Sequence, residues 1–158
     1  MSAVSAAVQG NRNKFSSEDD LIEPLVAYLL RRRLLRSGSM IATKVHLHGK
    51  WVDMATLTSS GSLSTFELKL NHITRVLEQA AANTLSADRS YVVTSSKPGA
   101  SSLEQARTLG LGVLHIDATR ATRLLLRAPK CVPDGCTRNR LRTLVQLRGD
   151  VVPDVQRL

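Results

Sequence analysis

Apolar residues recur at helical spacing over residues 17–35, where Leu21, Leu25, Tyr28 and Leu29 mark one face. Ser16 or Ser17 can cap this helix, and Glu18, Asp19 and Asp20 suit the positive end of its dipole. Pro24 allows two readings, a helix that starts at Ser17 and bends at the proline or, the favoured one, a regular helix that starts near Asp20 with Glu23 as the capping-box partner. Arg31, Arg32, Arg33 and Arg36 suit its C-terminal end, and Ser37-Gly38-Ser39 breaks it. The period then changes from helical to alternating. Residues 40–47, 51–58 and 63–70 read as three strands, joined by a turn at His48-Gly49-Lys50 and a loop over residues 59–62. In the third strand Phe66, Leu68 and Leu70 point one way, and Thr65, Glu67 and Lys69 the other.

Helical spacing returns over residues 73–87 through Ile73, Val76, Leu77, Ala80, Ala81 and Leu85. A short buried strand (90–94), a helix (103–109, stopped by Gly110) and a last core strand (113–116) follow. The order α-β-β-β-α-β-α-β predicts an α/β fold, with a mixed central sheet flanked by helices. Three regions are expected: a disordered lead-in (1–16), the core (17–118), and a C-terminal extension (119–158). In the extension Leu141, Leu144, Val145 and Leu147 mark a short helix.

Charge adds a partner to this outline. The formal net charge is +9, which attracts polyanions. The extension alone holds nine Lys or Arg against three acids. Aromatic residues are few (Trp51, Tyr28, Tyr91, Phe15, Phe66), so a stacking platform for single strands is disfavoured over contacts to the phosphate backbone. Nucleic acid is the expected partner, with Lys50, His72, Arg138, Arg140 and Arg142 as candidate contacts. No apolar run approaches the roughly 20 residues that span a bilayer, and the N-terminus lacks the order of a signal peptide. Work in the cytoplasm, away from membranes, is the expectation. The two cysteines, Cys131 and Cys136, read as ordinary thiols. His46 and His48 share a strand face but have no evident third ligand for a metal.

The candidate chemistry lies on the hairpin. If the second and third strands pair, Asp53 and Glu67 sit side by side, with Lys69 on the same face about 6–7 Å further along. Two carboxylates at one spot make a divalent-cation site, and the Leu68 carbonyl is the natural third ligand for Mg²⁺ or Mn²⁺. Lys69 would then orient an attacking water or neutralise charge developing on phosphorus. The bland alternative is a solvated carboxylate pair with Lys69 as a cross-strand partner.

Asp53, a hairpin, and then Glu67-Leu68-Lys69 resemble the PD-(D/E)xK nuclease superfamily over roughly residues 18–117. The resemblance implies a restriction-endonuclease-like αβββαβ core and metal-dependent hydrolysis of DNA in repair, recombination or defence. It implies that Asp53 and Glu67 hold the metal. It also implies that Gln79, in Leu-Glu-Gln-Ala-Ala, assists, and that Glu18 or Glu23 on the first helix joins them. Val52 stands where many members have proline before the aspartate. A non-catalytic DNA-binding module on the same fold is the alternative. A homodimer would place two sites on two strands.

Overall fold

The computed structural model describes residues 15–154; the expected lead-in lies almost wholly outside them. Among the described residues seven strands form one mixed sheet: β1 (Met40–Leu47), β2 (Lys50–Leu57), β3 (Leu63–Lys69), β4 (Arg89–Thr94), β5 (Gly112–Ile116), β6 (Thr122–Leu126) and β7 (Asp150–Val151). Their spatial order is β6-β5-β4-β3-β2-β1-β7. The β3–β4 and β4–β5 pairs are parallel, and the others are antiparallel. Four α-helices among the described residues flank the sheet: α1 (Ile22–Arg31), α2 (Thr74–Asn83), α3 (Ala100–Thr108) and α4 (Gly135–Arg148). No helix among the described residues is long and apolar enough to cross a membrane.

Alternation sorts the strands' side chains onto two faces. Met54, Phe66, Leu68, Val93 and Leu114 join Leu21, Leu25 and Leu29 under α1. Their neighbours Val92 and Val113 pack under α2 and α3, against Leu77, Ala80 and Ala106. On that same side Ala55 and Leu63 join Leu141 and Val145 of α4. Both faces are therefore covered, as strands paired in parallel require.

The first helix begins as a 3₁₀ turn (Glu18–Leu21) that runs into α1. Asp20, rather than Glu23, closes the entry: its Oδ2 accepts from the Ser16 and Ser17 amides at 2.8 and 2.9 Å. Pro24 sits in the first turn of α1, where its missing N–H costs no helical bond. The helix stops at Arg31 instead of reaching residue 35. Arg33 is left-handed (φ +57°), and the turn tucks Leu35 back into the core while Leu34 stays exposed. Likewise α2 stops at Asn83, short of residue 87, and Leu85 is exposed.

Residues beyond 118 add β6, α4 and β7 to this sheet. Asp134 caps α4, accepting from the Cys136 and Thr137 amides at 3.0 Å each. The two cysteines are free.

Candidate active site

The site is built where two strands part. The β2–β3 ladder runs from Leu57↔Leu63 to Met54↔Phe66, and no pair is formed beyond it. Asp53 fills the split, its Oδ2 accepting from the Leu68 amide at 2.9 Å. The N–H and C=O of a strand residue leave on the same side, so the Leu68 carbonyl also faces this gap. Gln79 of α2 bridges it from the helix side. Its Nε2 donates to the Trp51 carbonyl at 2.8 Å and to Glu67 Oε2 at 3.0 Å.

Lys44 of β1 closes the other side of Asp53. The β1–β2 ladder steps from Thr43↔Met54 to Val45↔Val52, leaving Lys44 and Asp53 facing each other without a regular pair. Both strands slip phase here. Ala42 and Val45, three residues apart, reach the same core cluster, and so do Val52 and Ala55. Lys44 takes φ +51° to make that slip, a conformation costly for a residue with a Cβ. Its Nζ lies 3.0 Å from Asp53 Oδ1 and 3.2 Å from Asp19 Oδ1. Partial burial pulls the Lys44 pKa down, but hydrogen bonds to Asp53 and Asp19 outweigh this and leave it raised.

Glu67 is 1% exposed. Asn83 Nδ2 donates to its Oε1 at 2.7 Å, so its direct donors, Asn83 and Gln79, are both neutral amides. Burial, with the neighbouring charge of Asp53, pushes the Glu67 carboxyl up to about 8, although the Asn83 bond acts the other way. Lys69 pairs with Glu18, Nζ to Oε1 at 2.7 Å. The 3₁₀ turn thus swings Glu18 over the end of β3.

Glu18, Asp53, Leu68, Lys69, Arg75, Val76 and Gln79 line a cleft of about 170 Å³, with Glu67 behind its wall. The sequence expectation named Asp53, Glu67, Leu68, Lys69, Gln79 and Glu18, and the structure brings these six together. Glu23 is not among them. It is exposed on α1 and 3.9 Å from Arg120, because the helix carries it round to the β6 side. None of the five candidate nucleic-acid contacts lines the cleft. His72 is exposed in the β3–α2 loop with φ +41°. Lys50 is exposed at the start of β2, and Arg140 and Arg142 are exposed on α4. Arg138 is held internally by Asp88 and the Gly61 carbonyl. His48 lies in the β1–β2 turn, while His46 packs against Trp51, ring centroids 4.8 Å apart. They form no ligand pair, and no group of three or more His, Cys, Asp or Glu is placed to hold a metal among the described residues.

Lys44, Asp19, Arg75 and Asn83 were missed. Arg75 and Asn83 had a usable signal, since each lies four residues from Gln79 and so shares its helix face. Lys44 had none without the strand register.

The donor set suits a hard divalent cation. Asp53 and Glu67 repel one another, Glu67 has no cationic partner among the described residues, and a carbonyl faces the same gap. Mg²⁺ keeps several waters, so two carboxylates and one carbonyl satisfy its protein-side demand.

No protein-family model matches the chain, and no curated protein matches it either. A solved structure does: a protein of unknown function from Silicibacter pomeroyi, with a TM-score of 0.59 and 19% identity, over 79% of this chain and 81% of that one. That likeness is one of fold.

Proposed function

We propose that this chain is a divalent-metal-dependent deoxyribonuclease on a restriction-endonuclease-like core, a member of the PD-(D/E)xK superfamily. The observation that carries the proposal is the convergence of Asp53, Glu67, the Leu68 carbonyl and Lys69 at one parted pair of strands. The formal charge of +9 supports a polyanionic substrate.

Asp53, Glu67 and the Leu68 carbonyl would hold Mg²⁺ or Mn²⁺. The ion would polarise the phosphodiester and lower the pKa of an attacking water. Asn83 and Gln79 fix the Glu67 carboxylate through one bond to each oxygen. Lys69 supplies a positive charge at the cleft for the developing phosphorane, and Glu18 holds its ammonium in place. Arg75 lines the same cleft, has no ion pair among the described residues, and would meet a phosphate oxygen.

One observation favours the second reading, a DNA-binding module that does not cut. Glu67 is buried with both oxygens hydrogen-bonded, and Asp53 and Lys69 are each in an ion pair. The test is cleavage of labelled duplex, single-strand, flap and four-way-junction DNA and of RNA, with Mg²⁺, Mn²⁺ or EDTA. Metal-dependent cutting that is lost in Asp53→Ala and Glu67→Ala, both still folded, is expected. Binding without cutting under every metal would leave the second reading standing.

A further inference from the structure

A second cavity lies at the other end of β3 and β4 from Asp53 and Lys69, on the α1 face of the sheet. Its volume is about 530 Å³, within the usual range of small-molecule sites. Arg31, Arg32, Arg33, Arg89 and Arg127 line it, and no carboxylate of the described residues does. Two of the five are engaged. Arg31 lies 6.0 Å over the Tyr28 ring, and Arg89 donates to the Ala128 carbonyl. Arg32, Arg33 and Arg127 have no carboxylate partner among the described residues. Guanidinium groups crowded around one hollow repel each other, and an anion relieves that repulsion.

The hollow is held open by rigid parts. The left-handed Arg33 ends α1 and fans three consecutive arginines around its mouth. Tyr91 stacks on Phe66, centroids 5.3 Å apart at 10°. Its ring also lies over Gly112, where an added Cβ would come within 2.4 Å of it. Tyr91 is thereby fixed between Phe66 and Gly112. Thr58, Ser62 and Ser64 add hydroxyls from the β2–β3 end, and Leu34 and Leu124 add an exposed apolar lip. Planar donors, hydroxyls and a small apolar surface in one concavity suit a phosphorylated organic molecule with several negative charges.

We propose that this cavity binds a small polyphosphorylated ligand, with Arg32, Arg33 and Arg127 meeting its phosphates. The proposal is independent of the nuclease reading, because the two sites share no residue.

The test is calorimetric titration of the full chain with ATP, pyrophosphate, adenosine and duplex DNA, in EDTA so that no divalent ion contributes. ATP and pyrophosphate should bind with one-site stoichiometry, and adenosine should not. Arg32→Gln and Arg127→Gln, at exposed positions with no ion pair to lose, should each weaken ATP binding about tenfold or more. Arg140→Gln with Arg142→Gln, on the far helix, should leave it unchanged. No heat from ATP or pyrophosphate at millimolar concentration overturns the proposal. So does equal weakening by both sets of variants, which marks diffuse charge attraction, or binding of duplex DNA alone. None of these results touches the cleavage assay.

Discussion

Lys44 Nζ lies 3.0 Å from Asp53 Oδ1, and the two residues share the rung where β1 and β2 slip phase together. The strand is distorted to deliver an ammonium to a carboxylate. Any divalent cation at Asp53 must compete with that ammonium.

Lys44→Met should therefore tighten Mn²⁺ binding, by about fivefold given the modest worth of a half-exposed pair. Titration calorimetry reads this directly; unchanged or weaker binding would show that Lys44 does not compete. Lys44→Gly removes the same charge but accepts φ +51° without strain. It should be more stable than Lys44→Met by about 1 kcal/mol in urea denaturation.

Glu67 makes stability fall as pH rises. The folded protein keeps its proton up to about 8, while the ordinary value is 4.5. Between those limits the folded state binds more protons than the unfolded chain, so raising pH favours unfolding by at most about 1.4 kcal/mol per unit. Denaturation midpoints of the metal-free protein should decline across that window, and Glu67→Gln should flatten the decline whatever its absolute stability. Mn²⁺ must displace the same proton, so its affinity should rise with pH over the same window. A flat stability profile in the parent protein would refute both statements.

Asn83 is buried and gives Glu67 its shorter hydrogen bond, at 2.7 Å. Asn83→Ala should cost about 1–3 kcal/mol by leaving a buried carboxyl oxygen without its donor. It should also move the Glu67 titration further upward, because the lost bond is what holds it down. The pH profile of stability separates this from simple loss of packing.

The arginines of α4 divide by role. Arg138 Nε and Nη2 grip Asp88 at 3.0 and 2.8 Å, and Nη2 also reaches the Gly61 carbonyl at 2.8 Å. Asp88 in turn accepts from the Leu63 amide at 2.8 Å. Burial raises the Asp88 carboxyl, but Arg138 and the Leu63 amide overcome this and leave it lowered. Its stabilisation is present above the ordinary value of 3.8 and is lost as pH falls through the lowered one. Arg138→Gln should cost about 2–4 kcal/mol in urea and weaken the acid resistance that the pair supplies. Arg140→Gln and Arg142→Gln should leave stability unchanged. If those side chains touch phosphates, each should reduce the salt slope of DNA binding by about 1.

Strand positions were legible where alternation was strong. The start of β3 at Leu63 follows from side-chain period, and the span 40–47 from its β-rich residues between the breaks at Ser37-Gly38-Ser39 and His48-Gly49-Lys50. Glu67, Leu68 and Lys69 were legible because the period assigns their faces, and Asp53 because the pairing of a hairpin sets it beside Glu67. The helix ends were not, because the left-handed turn at Arg33 and the early stop at Asn83 answer to tertiary packing. Thr122–Leu126, with three successive leucines, hides β6 because it lacks a two-residue period. Lys44 was invisible for a different reason. Its importance comes from facing Asp53 across a rung that only the assembled ladder defines.

Both outer strands of the sheet, β6 and β7, come from the last third of the chain, and so does α4, which covers β1 and β2. A ribosome therefore releases the two ends of the sheet after its middle. Until residue 126 emerges β5 presents bare backbone donors and acceptors, and until residue 151 emerges so does β1; both are templates for pairing with other chains. The nascent protein is thus most prone to aggregate while five strands are available and neither border has been sealed.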